Sequence, residues 1–146
     1  MVRLRKMLYS DLEWFKDVRK DCIQWLYEDK DYSLEEYQEW YKEDSPHFFV
    51  VNIKEEDIGY IRTSEWGKGR VKIGMDIHRN HRGKGHSVPS YQELFHSLKW
   101  HSINEVYLDV LEENERAVYI YKKLGFEIIN TKTEREKKVL QMKKML

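Results

Sequence analysis

Apolar positions along the chain change their period several times, and each change marks off a short element. Val2 and Leu4 alternate with charged residues and Met7-Leu8 follow, which predicts an opening strand. Ser10 and Glu13 stand at capping-box spacing, with Leu12, Phe15 and Val18 at helical intervals around them. A second box, Ser33 with Glu36, predicts a helix carrying Leu34, Tyr37, Trp40 and Tyr41. The intervening stretch from Cys22 to Tyr27 fits either an extension of the first helix or a separate turn. After Pro46, β-branched and aromatic residues dominate. Segments 48–53, 58–63 and 71–77 read as strands parted by Glu55-Glu56-Asp57 and Gly67-Lys68-Gly69. Short turns between consecutive strands predict an antiparallel meander.

Helical period returns with Tyr91, Leu94, Phe95 and Leu98, then gives way to alternation at Val106, Leu108 and Val110. Ala117, Ile120, Tyr121 and Leu124 form another helical stripe, closed by Gly125. Phe126 to Ile129 predicts a further strand. The tail from Val139 to Leu146 fits either period poorly, because Lys143 and Lys144 interrupt the alternation; it is assigned as a last strand. The expected fold class is α/β, a mixed and mostly antiparallel sheet flanked by helices in the order β-α-α-β-β-β-α-β-α-β-β. No linker or repeat divides residues 1–146, so one domain is expected.

Composition narrows the function. The apolar fraction of 40% and aromatic fraction of 14% suffice for a packed core, which excludes a wholly disordered chain. Lys plus Arg and Asp plus Glu both number 26, so the net charge is zero and argues against polyanion binding as the main activity. No run approaches the ~20 apolar residues of a membrane span. The opening MVRLRKMLYSDLEW lacks a signal-peptide layout, so no membrane partner and a cytoplasmic location are expected. A single cysteine, Cys22, excludes a disulfide framework and a multi-cysteine zinc site.

The segment HRNHRGKGHS, residues 78–87, joins a predicted strand to a predicted helix. Glycines in such a turn let the backbone approach a ligand, and the helix N-terminus directs free N–H groups at it. Gly83 and Gly85 permit that path while Arg82 and Lys84 add positive charge, so a diphosphate suits the loop. A Walker pattern is absent, and the hairpin-joined strands before the loop do not fit a Rossmann site. The bland alternative is a basic surface turn. The intervals of His78, His81 and His86 suit no helix-borne zinc pair, so no metal is expected and the three are read as solvated loop residues.

A second segment completes the pattern. Arg82-Gly83-Lys84-Gly85-His86-Ser87 resembles the acyl-CoA loop of the GNAT superfamily of N-acetyltransferases, Q/R-x-x-G-x-G/A. Asn114, Ala117, Tyr121, Lys123 and Gly125-Phe126 resemble that superfamily's later N-x-x-A-x-x-x-Y-x-K-x-G-F signature. Ser87 departs from the usual Gly or Ala but keeps a small side chain and a backbone N–H. The resemblance implies direct transfer of acetyl from acetyl-CoA to an amine, with no metal. It implies that Met75, Asp76 and Ile77 pair with the pantetheine through the backbone and that Arg82, Gly83, Lys84, Gly85, His86 and Ser87 hold the pyrophosphate. It places Asn114 against the pantetheine arm and Tyr121 near the thioester sulfur. A phenol with an ordinary pKa near 10 is protonated at neutral pH, which suits Tyr121 as general acid to the departing thiolate.

Asp109, of opposite parity to Leu108 and Val110, is the candidate base; ribosomal-protein N-terminal acetyltransferases of the superfamily carry a glutamate at the matching place. Glu65 is the reserve. Cys22 is set aside as a nucleophile because it sits in an apolar helical context away from both motifs. The resemblance assigns the acceptor pocket to the first two helices, which carry Trp14, Arg19, Trp25, Tyr27, Tyr32, Tyr37, Trp40 and Tyr41. The stretch from Ser33 resembles branches acting on nucleotide-linked amino sugars or ribosomal-protein N-termini. The expected acceptor is therefore a primary amine of a small molecule or a protein N-terminus. Two other classes stay open, a non-catalytic acyl-CoA-binding regulatory module and a basic-loop nucleic-acid binder, the latter disfavoured by the balanced charge. The oligomeric state, a homodimer included, is open.

Overall fold

Three two-residue turns stitch the strands into hairpins. Lys54-Glu55, Lys68-Gly69 and Arg135-Glu136 all have positive φ, the conformation such tight loops require. Only one of these six residues is glycine. The computed structural model that shows this describes residues 1–25 and 30–146. Strands β1 (Val2–Lys6), β2 (Phe49–Ile53), β3 (Glu56–Gly67) and β4 (Arg70–Ile77) form an antiparallel run, and β5 (Glu105–Leu111) joins β4 in parallel. The C-terminal hairpin of β6 (Glu127–Glu134) and β7 (Lys137–Met145) adds β7 against β5 and leaves β6 at the edge. The sheet order is β1-β2-β3-β4-β5-β7-β6.

Helices α1 (Leu12–Cys22) and α2 (Leu34–Asp44) cover one face, and α3 (Ser87–Trp100) and α4 (Glu115–Lys123) the other. Neighbours in sequence divide between the two cores, as strand alternation demands. Val50 and Tyr60 pack with Met7, Leu12, Phe15 and Tyr37, whereas Val51 and Ile61 pack with Tyr91, Leu94 and Leu98. The β4–β5 ladder is short: only Arg70–Lys72 pairs with Glu105–Tyr107. Beyond it the β5-facing edge of β4 carries no strand, and the sheet is split.

The element order agrees with the pattern of the chain, but several boundaries differ. The Ser33–Glu36 box forms, with Glu36 N donating to Ser33 Oγ and Ser33 N to Glu36 Oε1, both 3.1 Å. The Ser10–Glu13 box does not. Asp11 instead accepts from Leu8 N at 2.7 Å and takes a bidentate pair from Arg5 of β1 at 2.7 and 2.9 Å, so one 3₁₀ turn precedes α1. Met7 lies past the end of β1, buried, and Leu8 is exposed. Helix α1 ends at Cys22 and a 3₁₀ turn, Ile23–Trp25, follows. Leu26 and Tyr27 lie outside the described residues. Strand β6 begins after Phe126 and runs past Ile129; as an edge strand exposed along most of its length, it has no alternation to read. In β7, Lys143 pairs with Glu105 at 3.2 Å and Lys144 reaches the Phe95 ring, which accommodates both cations. Among the described residues, no helix is long and apolar enough to cross a membrane.

Candidate active site

The segment after β4 is lashed to α1 before it turns. His78 Nδ1 accepts from Asn80 N, and its Nε2 meets Asp17 at 3.2 Å; Arg79 bridges Asp17 and Asp21 at 3.3 and 2.7 Å. Two of the histidines expected to be solvated are therefore tied down, since His81 also sits 3.6 Å from Glu56. Beyond them Gly83 and Gly85 take φ of 72° and 76°, the left-handed region that glycine enters without strain, and a Cβ on either would meet open space. His86, Ser87 and Val88 open α3, so their N–H groups lie before its first bond, Ser90 N to His86 O. The first turn of α3 adds the positive end of its dipole.

These amides form one wall of a groove of about 850 Å³. Met75, Asp76 and Ile77 of β4 line it where β5 has diverged, together with Gly83, Gly85, His86 and Ser87. Asn114, Ala117, Tyr121 and Lys123 line it from α4. Lys84 does not, although the sequence groups it with the loop. Arg82 lines the groove, but its guanidinium folds inward: Nε donates to Ile77 O at 2.8 Å and Nη2 to Cys22 Sγ at 3.0 Å. Cys22 thus stands beside the loop rather than away from it. Burial pushes its thiol up to about 11, which keeps it protonated and unsuited to nucleophilic attack. Asn114 has a second duty as N-cap of α4, its Oδ1 accepting from Ala117 N at 3.3 Å.

Tyr121 is 9% exposed, and its hydroxyl lies 3.0 Å from that of Tyr91, itself 2% exposed. Burial raises the Tyr121 pKa, with the Tyr91 hydrogen bond pulling the other way; burial and the neighbouring Tyr121 raise that of Tyr91. Both stay protonated through neutral pH. The sequence shows Tyr91 only as one member of an apolar stripe. The signal available was its hydroxyl, since a buried tyrosine needs a partner.

A second cavity of about 550 Å³ lies under α1 and α2. Of the residues that the resemblance assigns to an acceptor pocket, Arg19, Tyr32, Tyr37 and Trp40 line this cavity, whereas Tyr41 donates to Met7 O at 3.0 Å and Trp14 packs on the core. Tyr27 and the side chain of Trp25 lie outside the described residues. Asp109 lines this cavity with its side chain 2% exposed. Its Oδ2 meets Lys72 at 2.7 Å and Lys132 at 3.3 Å, while buried Oδ1 has no hydrogen-bond partner. Glu65 is exposed, 3.4 Å from Lys72, and stands outside the lining. The two cavities share no residue. Arg62 lines one and Asp76 the other, 3.3 Å apart, so this ion pair stands between them. A Cβ at Gly74 would come 2.5 Å from Arg62 Nη2, so a side chain there would displace the guanidinium. Among the described residues, no group of three or more His, Cys, Asp or Glu is placed to hold a metal.

A split α/β sheet, with a glycine-turned loop feeding a helix N-terminus at the split, defines a protein that can hold a long ligand with a phosphate end. Residues 9–126 match the acetyltransferase (GNAT) family, and the chain belongs to it. An N-alpha-acetyltransferase of Sulfurisphaera tokodaii is 30% identical over 103 residues, a match spanning 62% of each chain. Among solved structures, a ribosomal-protein-alanine N-acetyltransferase from Brucella melitensis superposes with a TM-score of 0.81 at 17% identity, covering 99% of both chains. The spermidine/spermine N-acetyltransferase SpeG from Vibrio cholerae, in mutant forms, gives 0.85 at 21%, covering 99% of this chain and 93% of that one. YncA of Salmonella typhimurium, a structure with acetyl-CoA, gives 0.80 at 15%, covering 100% and 94%. These likenesses establish the fold.

Proposed function

We propose that this chain, working as one domain, transfers acetyl from acetyl-CoA to a primary amine. The observation that carries the reading is a groove lined by the unpaired end of β4, a buried phenol and the N-terminus of α3. Family membership supports the donor, and the loop fits it: Gly83 and Gly85 leave open space where a diphosphate must approach. Acetyl-CoA supplies an activated acetyl group and a thiolate that can leave.

The residues then divide the work. Met75 and Ile77 offer the open backbone edge of β4 to the amides of the pantetheine, Ile77 O exchanging its bond to Arg82. Asp76 does not share this role: its backbone faces β3, on the side where His78 N meets Ile58 O, and its carboxylate is held by Arg62. The amides from Arg82 to Ser87 take the pyrophosphate. The Asn114 carboxamide keeps its nitrogen for the pantetheine while its oxygen caps α4. In the second cavity Asp109 receives the proton of the attacking amine, directly or through a water, as the carbon–nitrogen bond forms. Tyr121 donates its proton to sulfur as the carbon–sulfur bond breaks, and Tyr91 stabilises the oxygen left behind. The test is release of free thiol from acetyl-CoA across a panel of amines and N-terminal peptides. Amine-dependent release is expected; a folded protein that binds CoA and releases none is a binding module instead.

A further inference from the structure

The cavity under α1 and α2 is lined by exposed carboxylates of α2, by aromatic rings and by the buried carboxylate of Asp109. Helix α2 turns Glu36, Glu39, Trp40 and Glu43 toward it, the i, i+3, i+4, i+7 positions of one face, and Asp44 follows. All four carboxylates are exposed at the mouth, and among the described residues only Glu36 has a cation near it, Lys30 at 3.8 Å. Among the described residues, three cations stand in the lining against five carboxylates: Arg62 pairs with Asp76, Lys72 with Asp109 and Glu65, and Arg19 lies near the Tyr37 and Tyr60 rings. Deeper in, Asp109 Oδ1 is buried with no donor, a condition native interiors seldom leave standing. A cationic donor brought by a ligand would satisfy it. Tyr37, Trp40 and Phe48 supply apolar wall to the same cavity.

From this we infer that the acceptor is a linear aliphatic diamine or polyamine, a conclusion that rests on the transfer reading above. One amine reaches inward to Asp109 and is acetylated. A second, still protonated, sits among Glu39, Glu43 and Asp44, and the methylene chain between them lies along the rings, where Trp40 can also face a cation. The bonds made and broken are those of the transfer itself: nitrogen gains the acetyl, its proton passes to Asp109, and sulfur takes the proton of Tyr121.

The experiment compares spermidine, 1,5-diaminopentane, pentylamine and an alanine-initiated peptide as acceptors, read by thiol release. Spermidine and the diamine are expected to exceed pentylamine in kcat/KM by about tenfold or more, with the ratio shrinking as salt screens the rim. The triple change Glu39→Gln, Glu43→Gln, Asp44→Asn should cut that ratio about tenfold through KM, each exposed contact giving a few-fold, while the KM for acetyl-CoA holds. These residues are exposed, and a melting curve confirms that the variant folds. Pentylamine or the peptide turning over as well as spermidine, or a ratio untouched by the triple change, overturns this inference alone. No turnover of any amine by protein that binds CoA overturns the transfer reading and this one with it.

Discussion

Replacing either tyrosine of the Tyr91–Tyr121 pair with phenylalanine removes the hydrogen-bond partner of the other's buried hydroxyl. The two oxygens are 3.0 Å apart, in residues 2% and 9% exposed that border the groove. A stranded buried hydroxyl costs about 1–3 kcal/mol. At roughly 2–4 °C per kcal/mol for a domain of this size, each single variant should melt about 2–12 °C below the parent. The double variant removes both hydroxyls and strands neither, so its loss should be smaller than the sum, with a coupling of about 1–2 kcal/mol. Activity separates the two residues. Tyr121→Phe should slow single-turnover transfer by about 10²–10⁴-fold through loss of the proton donor, whereas Tyr91→Phe, which keeps that donor, should cost less. Melting curves give the cycle, and rapid-quench acetyl transfer gives the rates. Additive stability losses would refute the hydroxyl pair, and a parental single-turnover rate in Tyr121→Phe would refute the acid.

Gly85→Asp puts a side chain and a negative charge on a left-handed residue of the loop, so CoA affinity by calorimetry should fall at least tenfold; unchanged binding moves the pyrophosphate elsewhere. Asp109→Asn should lower turnover most at low pH, where fewer acceptor amines are already neutral, and a pH–rate profile overlaying the parent's removes Asp109 as base. The Arg5 hydrogen bonds hold Asp11 below the usual carboxylate range, with burial opposing them. A depressed folded-state pKa gives stability that is complete above the unfolded value near 3.9 and is lost as pH falls through the folded one. The melting difference between parent and Asp11→Asn should therefore be constant above about pH 5 and shrink below about pH 4.

Features that depend on near neighbours were legible in the chain. The Ser33–Glu36 box, the glycine-turned loop and the α4 stripe ending at Gly125 all formed as their spacing implies. Features settled by residues far apart in sequence were not. Ser10 had the right spacing for a cap, yet Asp11 won the turn because Arg5 of β1 could reach it. The split after Lys72 leaves no mark, since Ile73 to Ile77 alternates as a paired strand would. Cys22 was read from its helical context, and only the folded chain brings it to Arg82. Lys72 and Lys132 likewise reach Asp109 from two other strands, so its surroundings could not be anticipated from parity.

Strand β4 changes allegiance between adjacent residues: Ile73 and Gly74 belong to one cavity, Met75 to Ile77 to the other. On the transfer reading proposed above, acetyl-CoA in the groove and the amine in the cavity enter by separate doors, on either side of the Arg62–Asp76 pair. Neither then has to depart to admit the other, and no acetyl group has to be parked on the polypeptide between their visits.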